Sequence, residues 1–388
     1  MPRSTLFPSA DGPRAVIDLD AIRHNVELLR QAAGPAKVMA VVKADGYGHG
    51  ATAIAHAALD AGAAELGVAT VTEALALRGE GISAPLLAWL HSPNTDFEGA
   101  LDADITLGVS SLDQLAAIRT AARTRDIRAR VDLKLDTGLN RNGCSIADWP
   151  AFFEEAARAV AAGELHIRGV FSHLACADDQ DSPVTDRQLA SFREGIAALE
   201  AHGIVPELRH LANSAATLTR PDTHFDLVRA GIAMYGLSPI GGQDFGLVPA
   251  LSLVAPVALV KRVAAGEGVS YGHTWIAPKD TTLALIPLGY ADGIPLALSG
   301  RFDVAIGGTR YPAVGRVCMD QFLVDLGDGG GSVDTDSGEI RPVRSGDDVV
   351  IIGEPTDGLT EWAERLGTIH YELATAIRGR VERVYLGL

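Results

Sequence analysis

Between residues 37 and 230, short apolar segments rich in β-branched residues alternate with alanine-rich, partly polar ones. The apolar segments predict strands near residues 37–43, 65–70, 85–90, 105–110, 129–136, 165–173, 207–212 and 225–230. Helices are predicted between most of them, for example over 51–61, 112–122, 149–162 and 188–201. Eight strand–helix units in about 200 residues are what a closed (β/α)8 barrel requires. The pattern therefore predicts an α/β fold with a TIM-type barrel.

A doubly wound open sheet is the competing interpretation of the same alternation. It is disfavoured because the eight units run without a break and no G-x-G-x-x-G sequence follows a first strand. Ahead of the barrel, residues 14–19 predict a short strand. Asp20 is expected to cap an amphipathic helix that runs to about Ala33.

The pattern changes near Leu237. Residues 238–242 have the composition of a linker, and from residue 251 onward short strands are separated by glycine-rich turns. Helices are predicted there only at 359–366 and 371–377. We therefore predict a barrel domain over 1–240 and a mostly-β C-terminal domain over 241–388, with the first ~15 residues able to pack on the β domain.

Composition and charge narrow the possible partners. The chain has 388 residues, 47% of them hydrophobic and 21% charged, and a formal net charge of −16. This charge argues against a nucleic-acid or anionic-membrane partner, since either needs a basic surface. Neither a signal peptide nor a run of ~18 apolar residues is evident. Three cysteines without C-x-x-C spacing predict a cytoplasmic protein with no metal cluster.

Polar residues collect where the predicted barrel strands end, and functional side chains gather at that rim in such barrels. Lys43 begins the sequence K-A-D-G-Y-G-H-G; a lysine half out of water at a strand end can acquire a lowered pKa and Schiff-base chemistry. A solvated strand-end lysine is the alternative. The rim positions are Lys43, Tyr47, Lys134, Asp136, Arg141, His173, Asn213, Ser214, Arg229, Gly231 and Ile232.

Two features of this rim indicate specific chemistry. Ser214 lies at a strand–helix junction and Gly231-Ile232 follows the last strand, which are positions where barrels commonly bind phosphate. In the fifth strand, Asp132, Lys134 and Asp136 alternate with apolar residues and therefore share one face. Lys134 is then a neighbour of whatever Arg141 binds, or else part of a structural Lys–Asp pair.

Nine motifs occur in one order along the chain. They are K-A-D-G-Y-G-H-G (43–50), K-L-D-T-G-x-x-R-x-G (134–143), S-H-L-A (172–175), H-L-A-N-S-A-A (210–216), V-R-A-G-I-A-M-Y-G (228–236), V-S-Y-G (269–272), G-Y-A-D-G (289–293), G-R-V-C-M-D-Q (315–321) and I-H-Y-E (369–372). Together they closely resemble bacterial alanine racemase. The first alone would also fit other barrel enzymes of the same cofactor class, but the set spans nearly the whole chain. Leu139 and Leu174 depart from the family, which commonly has methionine and phenylalanine there.

The resemblance implies that the barrel binds pyridoxal 5'-phosphate and that Lys43 holds this cofactor covalently. It implies a phosphate cradle made by Tyr47, Ser214, Gly231, Ile232 and Tyr371, with Asn213 beside it. His173 would pack on the pyridine ring, and Arg229, supported by His210, would face the pyridine nitrogen. A cation there disfavours protonation of that nitrogen and favours racemisation over transamination or decarboxylation.

The resemblance also implies two proton-transfer groups, one on each face of the substrate. Lys43 is assigned to the α-proton of D-alanine and Tyr271 to that of L-alanine. Arg141 and the backbone N–H of Met319 would bind the substrate carboxylate, and Tyr290 would line the small pocket. Two further positions are supporting ones: Lys134, which is often carbamylated in the family, and Asp320.

In the family, Tyr271 and Met319 reach the active site from the partner subunit of a head-to-tail homodimer with shared active sites. The resulting expectation is a cytoplasmic isomerase that interconverts L-alanine and D-alanine for peptidoglycan and the cell wall. Three other functions are alternatives to this one. A cofactor-handling barrel without turnover would lack the β domain, and a decarboxylase would not carry Arg229. A racemase for serine or of broader specificity stays open.

Overall fold

The computed structural model describes residues 11–333 and 340–388. Within these residues the chain forms two compact units. The barrel unit comprises residues 20–46 and 51–248, and the β unit comprises residues 11–19, 47–50, 249–333 and 340–388. The turn after Lys43 is therefore divided between the two units, because residues 44–46 group with the barrel and Tyr47–Gly50 group with the β unit.

Eight parallel strands build the barrel unit, as the sequence predicts. In chain order, after β1 (Arg14–Asp18) of the β unit, they are β2 (Lys37–Val41), β3 (Glu65–Val68), β4 (Leu86–Ala88), β5 (Thr106–Val109), β6 (Ala129–Lys134), β7 (Leu165–Phe171), β8 (Leu208–His210) and β9 (Leu227–Ala230). The pairing order is β8-β7-β6-β5-β4-β3-β2-β9, so each strand lies beside its neighbour in sequence and β9 returns to β2. The side chains of these strands are nearly all buried, as in a sheet covered on both faces.

Helices and helical turns connect the barrel strands. They are α1 (Leu19–Ala33), the left-handed turn α2 (Lys43–Tyr47), α3 (Ala51–Asp60), α4 (Val71–Gly79), α5 (Phe97–Asp102), α6 (Leu112–Arg125), α7 (Trp149–Ala161), α8 (Val184–Ala201) and α9 (Ser214–Thr219), with 3-10 turns at Ile146–Asp148, Pro221–Thr223 and Ile232–Tyr235. Among the described residues, no helix has the length and apolar character needed to cross a membrane.

The barrel is joined along the seam between β8 and β9. There the backbone N–H of Arg229 donates to the carbonyl of Ala212 at 3.0 Å, and that of Asp226 donates to Arg209 at 3.1 Å. The Asp226 carboxylate also accepts hydrogen bonds from the backbone N–H of Arg209 at 2.8 Å and from its guanidinium at 2.7 Å. The predicted barrel is therefore confirmed, and the open-sheet alternative is wrong.

The structure corrects three details of the sequence interpretation. Asp20 is not a helix cap, because α1 begins at Leu19 and Asp20 lies in its first turn, where its carboxylate binds Arg23. Helix α8 begins at Val184, four residues before the predicted start, and its first turn is mostly polar and so lacks a strong apolar signal. Helix α6 continues to Arg125 and ends where Asp126 adopts a left-handed conformation.

The β unit is built on a nine-stranded sheet, which confirms the predicted mostly-β C-terminal region. Its order is β11-β14-β17-β16-β15-β20-β10-β1-β21. Strands β12–β13 and β18–β19 form two small hairpin sheets. The strands are β10 (Leu251–Pro256), β11 (Leu259–Val263), β12 (Gly268–Val269), β13 (Trp275–Ile276), β14 (Thr281–Ile286), β15 (Asp303–Ile306), β16 (Thr309–Val314), β17 (Phe322–Gly327), β18 (Gly331–Val333), β19 (Ile340–Pro342), β20 (Asp348–Ile352) and β21 (Glu382–Leu386).

Helices in this unit are few and short. In the part of the unit that the structure describes, the two α-helices are α10 (Leu359–Leu366) and α11 (His370–Ala376), close to the predicted bounds. In the same part, 3-10 turns occur at Tyr271–His273, Tyr290–Asp292 and Leu296–Leu298. Strand β1 lies between β10, to which it is antiparallel, and β21, to which it is parallel. The N-terminal strand of the chain is thus an inner strand of this sheet.

Candidate active site

The backbone after Lys43 forms a left-handed turn. Residues Ala44, Asp45, Gly46 and Tyr47 have φ values of 53°, 52°, 61° and 53°. Only glycine adopts this conformation without strain, and other residues pay roughly 1–2 kcal/mol each for it. Strand β2 ends at Val41, so the lysine lies just beyond the strand, at the start of this strained turn.

Hydrogen bonds hold the turn in this conformation. The N–H of Gly46 donates to the carbonyl of Val42 at 2.9 Å, and the Asp45 carboxylate accepts from the N–H of Ala51 at 2.9 Å. The N–H of Ala44 donates to the Glu73 carboxylate at 2.7 Å. These hydrogen bonds fix the backbone on both sides of Lys43, at Val42 and at Ala44, and so they set the position of the lysine.

Two lysines and two arginines of the barrel unit lie close enough for the charges of the arginines to lower the pKa of the lysines. Burial, and then Arg141 and Arg229, lower the pKa of Lys43, against an opposing effect of Glu73. Burial, with Arg229, Arg141 and Lys43, lowers the pKa of Lys134 to about 8. The structure thus brings together Lys43, Lys134, Arg141 and Arg229 at one end of the barrel strands. Such a site attracts an anion and favours neutral amines.

Arg229 is buried and surrounded by neutral acceptors. One terminal nitrogen donates to the carbonyl of His210 at 2.9 Å and contacts Nδ1 of the same residue at 3.2 Å. The other donates to the carbonyls of Ser172 and Leu211 at 2.7 and 3.1 Å, and contacts Nδ1 of His173 at 3.2 Å. Burial lowers the pKa of Arg229 to about 10, so the guanidinium stays charged at neutral pH.

His173 belongs to the same cluster. Burial, followed by the charges of Arg229, Arg141, Lys134 and Lys43, holds the pKa of His173 well below its usual range. The imidazole is therefore neutral, and because Arg229 can only donate, Nδ1 of His173 is the acceptor. A neutral ring in this place can pack on a flat cofactor without adding to the positive charge.

Behind Arg229 lies a buried group of ionic side chains. Nε2 of His210 lies 3.1 Å from the Asp132 carboxylate. Arg168 donates to both oxygens of Asp132, at 2.9 and 2.6 Å, and to Glu65 at 2.8 Å. Burial alone would raise the pKa of Asp132, but Arg168 and His210 hold it below its usual range. At Glu65, by contrast, burial outweighs Arg168 and raises the pKa.

This arrangement shows which partners the two aspartates of the fifth strand have. Asp132 pairs with Arg168, and Asp136 accepts the backbone N–H groups of Gly138 and Asn140 at 2.9 and 3.1 Å. Asp132 is therefore paired with Arg168 rather than with Lys134, whereas the charge of Asp136 acts on Lys134 and raises its pKa against the larger effect of burial. Lys134 instead lies 5.6 Å from the ring centroid of Phe171, over its face.

The predicted phosphate-binding residues of the barrel unit lie together after β8 and β9. Asn213 caps the six-residue helix α9, accepting the N–H of Ala216 at 3.1 Å. The hydroxyl of Ser214 accepts the N–H of Gly231 at 2.9 Å, and the side chain of Ile232 is buried. Ser214 and Gly231 are thus adjacent, and the serine hydroxyl keeps its own proton available for donation.

The remaining predicted cofactor residues belong to the β unit. Tyr47 is buried, and its ring centroid lies 6.3 Å from that of Tyr371. Burial, and then Tyr371, raise the pKa of Tyr47, so its hydroxyl is a neutral donor. The next residue, Gly48, packs against the carbonyl of Ala374, and a Cβ atom at position 48 would lie only 2.5 Å from that oxygen. A side chain at position 48 would therefore collide with the backbone at the end of α11.

The predicted substrate residues of the β unit are exposed. The side chains of Tyr271, Met319 and Tyr290 are 72%, 53% and 45% exposed. Two backbone hydrogen bonds of 3.0 Å join the last two loops, from Tyr290 to Cys318 and from Ala291 to Met319. These loops therefore form one unit of structure.

A charged cluster supports the joined loops. Asp292, which is buried, accepts the N–H of Gly289 at 3.0 Å and binds Arg380 at 3.0 Å. Arg380 also binds Asp320 at 2.7 Å. Asp320 is thus held by an ion pair next to Met319, and its carboxylate is directed to Arg380.

Sequence reasoning missed several residues that support the site. Glu73, Glu65 and Arg168 were not among the predicted positions, and Asp132 was noted only for its place on a strand face. A signal existed for Glu65, Asp132 and Arg168, because a charged residue inside an apolar strand needs a buried partner. The partner itself could not be identified, since it depends on which strands pair.

Comparisons with known proteins agree with one another. Family models described as "Alanine racemase, N-terminal domain" and "Alanine racemase, C-terminal domain" match residues 17–239 and 250–385. The chain is 55% identical to an alanine racemase of Mycolicibacterium vanbaalenii over 379 residues, which is 97% of this chain and 95% of the relative. It is 53% identical to that of Mycobacterium tuberculosis over 377 residues, covering 96% and 95%. The crystal structure of alanine racemase from D-cycloserine-producing Streptomyces lavendulae is similar, with a TM-score of 0.92, 47% identity and 98% of each chain covered.

Proposed function

Because the chain belongs to the alanine racemase family, we propose that it interconverts L-alanine and D-alanine with pyridoxal 5'-phosphate as its cofactor. The observation that carries the proposal is the amine of Lys43, lowered in pKa and gathered with Lys134, Arg141 and Arg229. A neutral amine is needed for covalent attachment to an aldehyde, and the surrounding cations suit the phosphate and carboxylate of the bound groups.

The residues present fit this cofactor. Lys43 would hold it covalently, His173 would pack on its ring and Arg229 would face the pyridine nitrogen. Its phosphate would be bound by neutral donors, with Asn213 beside them: Tyr47, Ser214, Gly231, Ile232 and Tyr371. The support is chemical, since Tyr47 is kept protonated, Ser214 has a free hydroxyl proton and His173 is neutral.

When bound, the cofactor withdraws the electron pair left at the substrate α-carbon after its proton is removed. The protein supplies the groups that move the proton. Lys43 takes or returns it on the D-alanine face, and its lowered pKa favours the free base that this requires. Tyr271 serves the L-alanine face, and its exposed hydroxyl on the β unit is accessible to a second subunit.

Arg229 determines which reaction follows. Its buried guanidinium stays charged and is fixed by carbonyl and imidazole acceptors, among them His210. A fixed cation at the pyridine nitrogen disfavours protonation there, so electron withdrawal is limited and the α-carbon regains a proton quickly. This favours racemisation over transamination or decarboxylation.

Substrate binding is assigned to Arg141 and the backbone N–H of Met319, which bind the carboxylate, and to Tyr290, which limits the pocket to a small side chain. Asp320 supports Met319 through its ion pair with Arg380. A carbamate on Lys134 would replace a positive charge beside Arg141 with a negative one and hold the guanidinium in place. The lowered pKa of Lys134 supports this, because carbamate formation requires the neutral amine.

We also propose a head-to-tail homodimer in which Tyr271 and Met319 serve the partner's site. Their exposure is the support, since a catalytic phenol that is 72% exposed in one chain needs a second surface to exclude water. The cytoplasm is the proposed compartment, consistent with three free cysteines. Supply of D-alanine for peptidoglycan is the proposed role in the cell.

A racemase of serine or of broader specificity is the second candidate, because a small pocket that accepts a methyl group discriminates weakly against a hydroxymethyl group. A chiral assay with L-alanine and L-serine in parallel, on the cofactor-loaded protein, tests both. Conversion of alanine at a much higher kcat/KM supports the proposal. Comparable values for the two substrates would favour the broader racemase, and absence of turnover with either would contradict both.

A further inference from the structure

The buried ionic group behind Arg229 is not explained by stability. Arg168, Asp132 and Glu65 are nearly removed from solvent, and the cost of desolvating such charges commonly equals or exceeds their attraction. An apolar trio of similar volume would fill the barrel at no loss. The presence of three charges in the barrel interior therefore calls for a role beyond packing.

The backbone is adapted to this group at two positions. The register between β6 and β7 shifts so that Val131 pairs with Ile167 and Asp132 with Gly169, which leaves Arg168 as the extra residue of a bulge. A bulge changes the direction of a side chain, and here the side chain reaches Asp132. At Gly169, a Cβ atom would lie 2.9 Å from the Asp132 carboxylate, so only glycine leaves room for it.

We propose that Asp132 is a positioning residue of the active site. Its carboxylate, held by Arg168, fixes His210 as the neutral tautomer with the proton on Nε2, so that Nδ1 accepts a hydrogen bond from Arg229. The inference rests on the proposed function only in assigning Arg229 to the cofactor. The hydrogen-bond geometry itself is independent of the reaction.

The chemistry of the partners leaves one tautomer. Asp132 is ionised and can only accept, so Nε2 of His210, 3.1 Å away, must carry a proton. Arg229 can only donate, so Nδ1, 3.2 Å from its terminal nitrogen, must be unprotonated. Burial lowers the pKa of His210 to about 4, which agrees with the neutral ring. A carboxylate fixes the tautomer of a catalytic imidazole in the same manner in Ser-His-Asp triads.

Loss of the carboxylate would release this constraint. With the proton moved to Nδ1, His210 would present a donor to the donor of Arg229, and the guanidinium would have to move away. The stacking of His210 on Phe171, with centroids 4.8 Å apart and planes at 7°, keeps the ring in place but does not select the tautomer. Asp132 does.

The experiment uses cofactor-loaded protein labelled with nitrogen-15 at histidine, with a His210→Gln variant to assign the signals. In the unmodified protein we expect Nε2 of His210 to be protonated and Nδ1 unprotonated. Asp132→Leu keeps the shape of the side chain and the Arg168–Glu65 pair but removes the acceptor. It should convert His210 to a mixture of tautomers. Asp132→Asn, whose carbonyl can still accept from Nε2, should restore part of the original state.

Glu65→Gln is the matched control. It removes a carboxylate from the other side of Arg168 and has no contact with His210. It is expected to lower thermal stability as the Asp132 variants do, while leaving the His210 tautomer unchanged. Gly169→Ala is the second test, because it displaces the Asp132 carboxylate while every charge remains, and it should shift the tautomer without removing a titratable group.

Kinetics complete the test. Asp132→Leu should lower kcat for alanine by about tenfold, the effect of one lost hydrogen bond to a charged group, with KM changed less than about twofold because Arg141 is untouched. An unchanged His210 tautomer in Asp132→Leu would overturn the proposal, as would an equal tautomer shift in Glu65→Gln. If Asp132→Leu does not fold, Gly169→Ala decides in the same way. Inactivity of the unmodified protein would contradict the proposed function but not the tautomer result.

Discussion

The carboxylate of Glu73 accepts a hydrogen bond from the backbone N–H of Ala44, 2.7 Å away, immediately beyond the lysine assigned to the cofactor. Its other oxygen accepts the N–H groups of Ala69 and Thr70, at 2.9 and 3.0 Å. One side chain thus ties together the ends of two neighbouring barrel strands. It also provides the negative charge that partly opposes the lowered pKa of Lys43.

Glu73→Gln should release Ala44 selectively. The amide carbonyl would stay with the two donors of residues 69 and 70, so its nitrogen would face the N–H of Ala44. With no acceptor left there, the strained turn relaxes, and the free energy of unfolding should fall by about 1–2 kcal/mol. We expect kcat for alanine to fall about tenfold. Steady-state racemisation and chemical denaturation measure the two effects.

Thr70→Ala is the control for this prediction. It removes the hydroxyl that accepts the N–H of Glu73 at 3.2 Å, and so weakens the start of the same helix without touching Ala44. It should cost about 1 kcal/mol of stability, as lost helix caps do, with kcat unchanged. An equal loss of kcat in both variants would show that Glu73 acts only through helix stability.

Lys43→Ala should abolish both the visible absorption of the bound cofactor and racemase activity, because no other amine replaces it as the covalent ligand. Lys134→Ala is the comparison, since it removes a neighbouring amine of the same cluster. It should reduce turnover while the absorption band remains. Absorption spectra and the chiral assay distinguish the two outcomes. Retention of the band and of activity in Lys43→Ala would contradict the assignment of this lysine.

Tyr271→Phe removes one hydroxyl from an exposed position of the β unit. Conversion of L-alanine to D-alanine should fall by two or more orders of magnitude, as loss of a general base predicts. Cofactor binding should survive, since Tyr271 is not among the residues assigned to it. Circular dichroism of the alanine product and the cofactor absorption band are the measurements. Loss of the cofactor together with activity would mean that Tyr271 has another role.

Carbamylation of Lys134 should depend on pH. Its amine has a pKa of about 8, lowered by burial and by Arg229, Arg141 and Lys43. Below that pH the amine is protonated and cannot react with carbon dioxide, so occupancy should rise as the pH increases through about 8. Carbon-13 NMR with labelled bicarbonate measures it, and Lys134→Arg, which cannot form the adduct, should lack the signal. A signal independent of pH across this window would contradict the mechanism.

The barrel seam makes a prediction about acid stability. Burial would raise the pKa of Asp226, but hydrogen bonds and the charge of Arg209 lower it overall. A carboxyl group with a lowered folded-state pKa contributes stability above its unfolded-state pKa of about 4, and this is lost as the pH falls through the folded value. Asp226→Asn should therefore lose about 1–2 kcal/mol at pH 7 and less in acid.

Asp186→Asn provides the matched control for the seam, because Asp186 is exposed and lies on helix α8, where its carboxylate pairs with the guanidinium of Arg220. It should change stability by less than about 0.5 kcal/mol. Urea unfolding at pH 7 and pH 3 measures both variants. If the two variants lose the same amount at pH 7, the Arg209–Asp226 contact has no special part in closing the barrel.

The positions of the barrel elements could be predicted because they follow from local pattern. Each predicted strand lies within a few residues of the observed one, since a buried strand needs a continuous apolar run. The helix starts were less certain, and Asp20 shows why. An acidic residue is favourable both at a cap and in the first turn, so composition alone could not separate these positions.

Site residues that lie in sequence motifs could be predicted, whereas contacts that depend on which strands pair could not. Lys43, Arg229 and Ser214 stood at strand ends that the pattern could locate. The partner of Asp132 could not be found, because Arg168 reaches it only through a bulge on the next strand. The left-handed conformation at Ala44 was equally inaccessible, since alanine does not favour it and the Glu73 carboxylate that holds its N–H lies on another element.

The position of β1 has a consequence for synthesis of the chain. Residues 14–18 pair with residues 382–386 of β21, which are synthesised after every strand of the barrel. The contact between β1 and β21 therefore forms only after the barrel strands have been made. Until then β1 has a single neighbour in the sheet, β10, and its other edge is unpaired. Removal of β21 would likewise leave β1 as an edge strand, whose unpaired backbone groups are open to association with other chains.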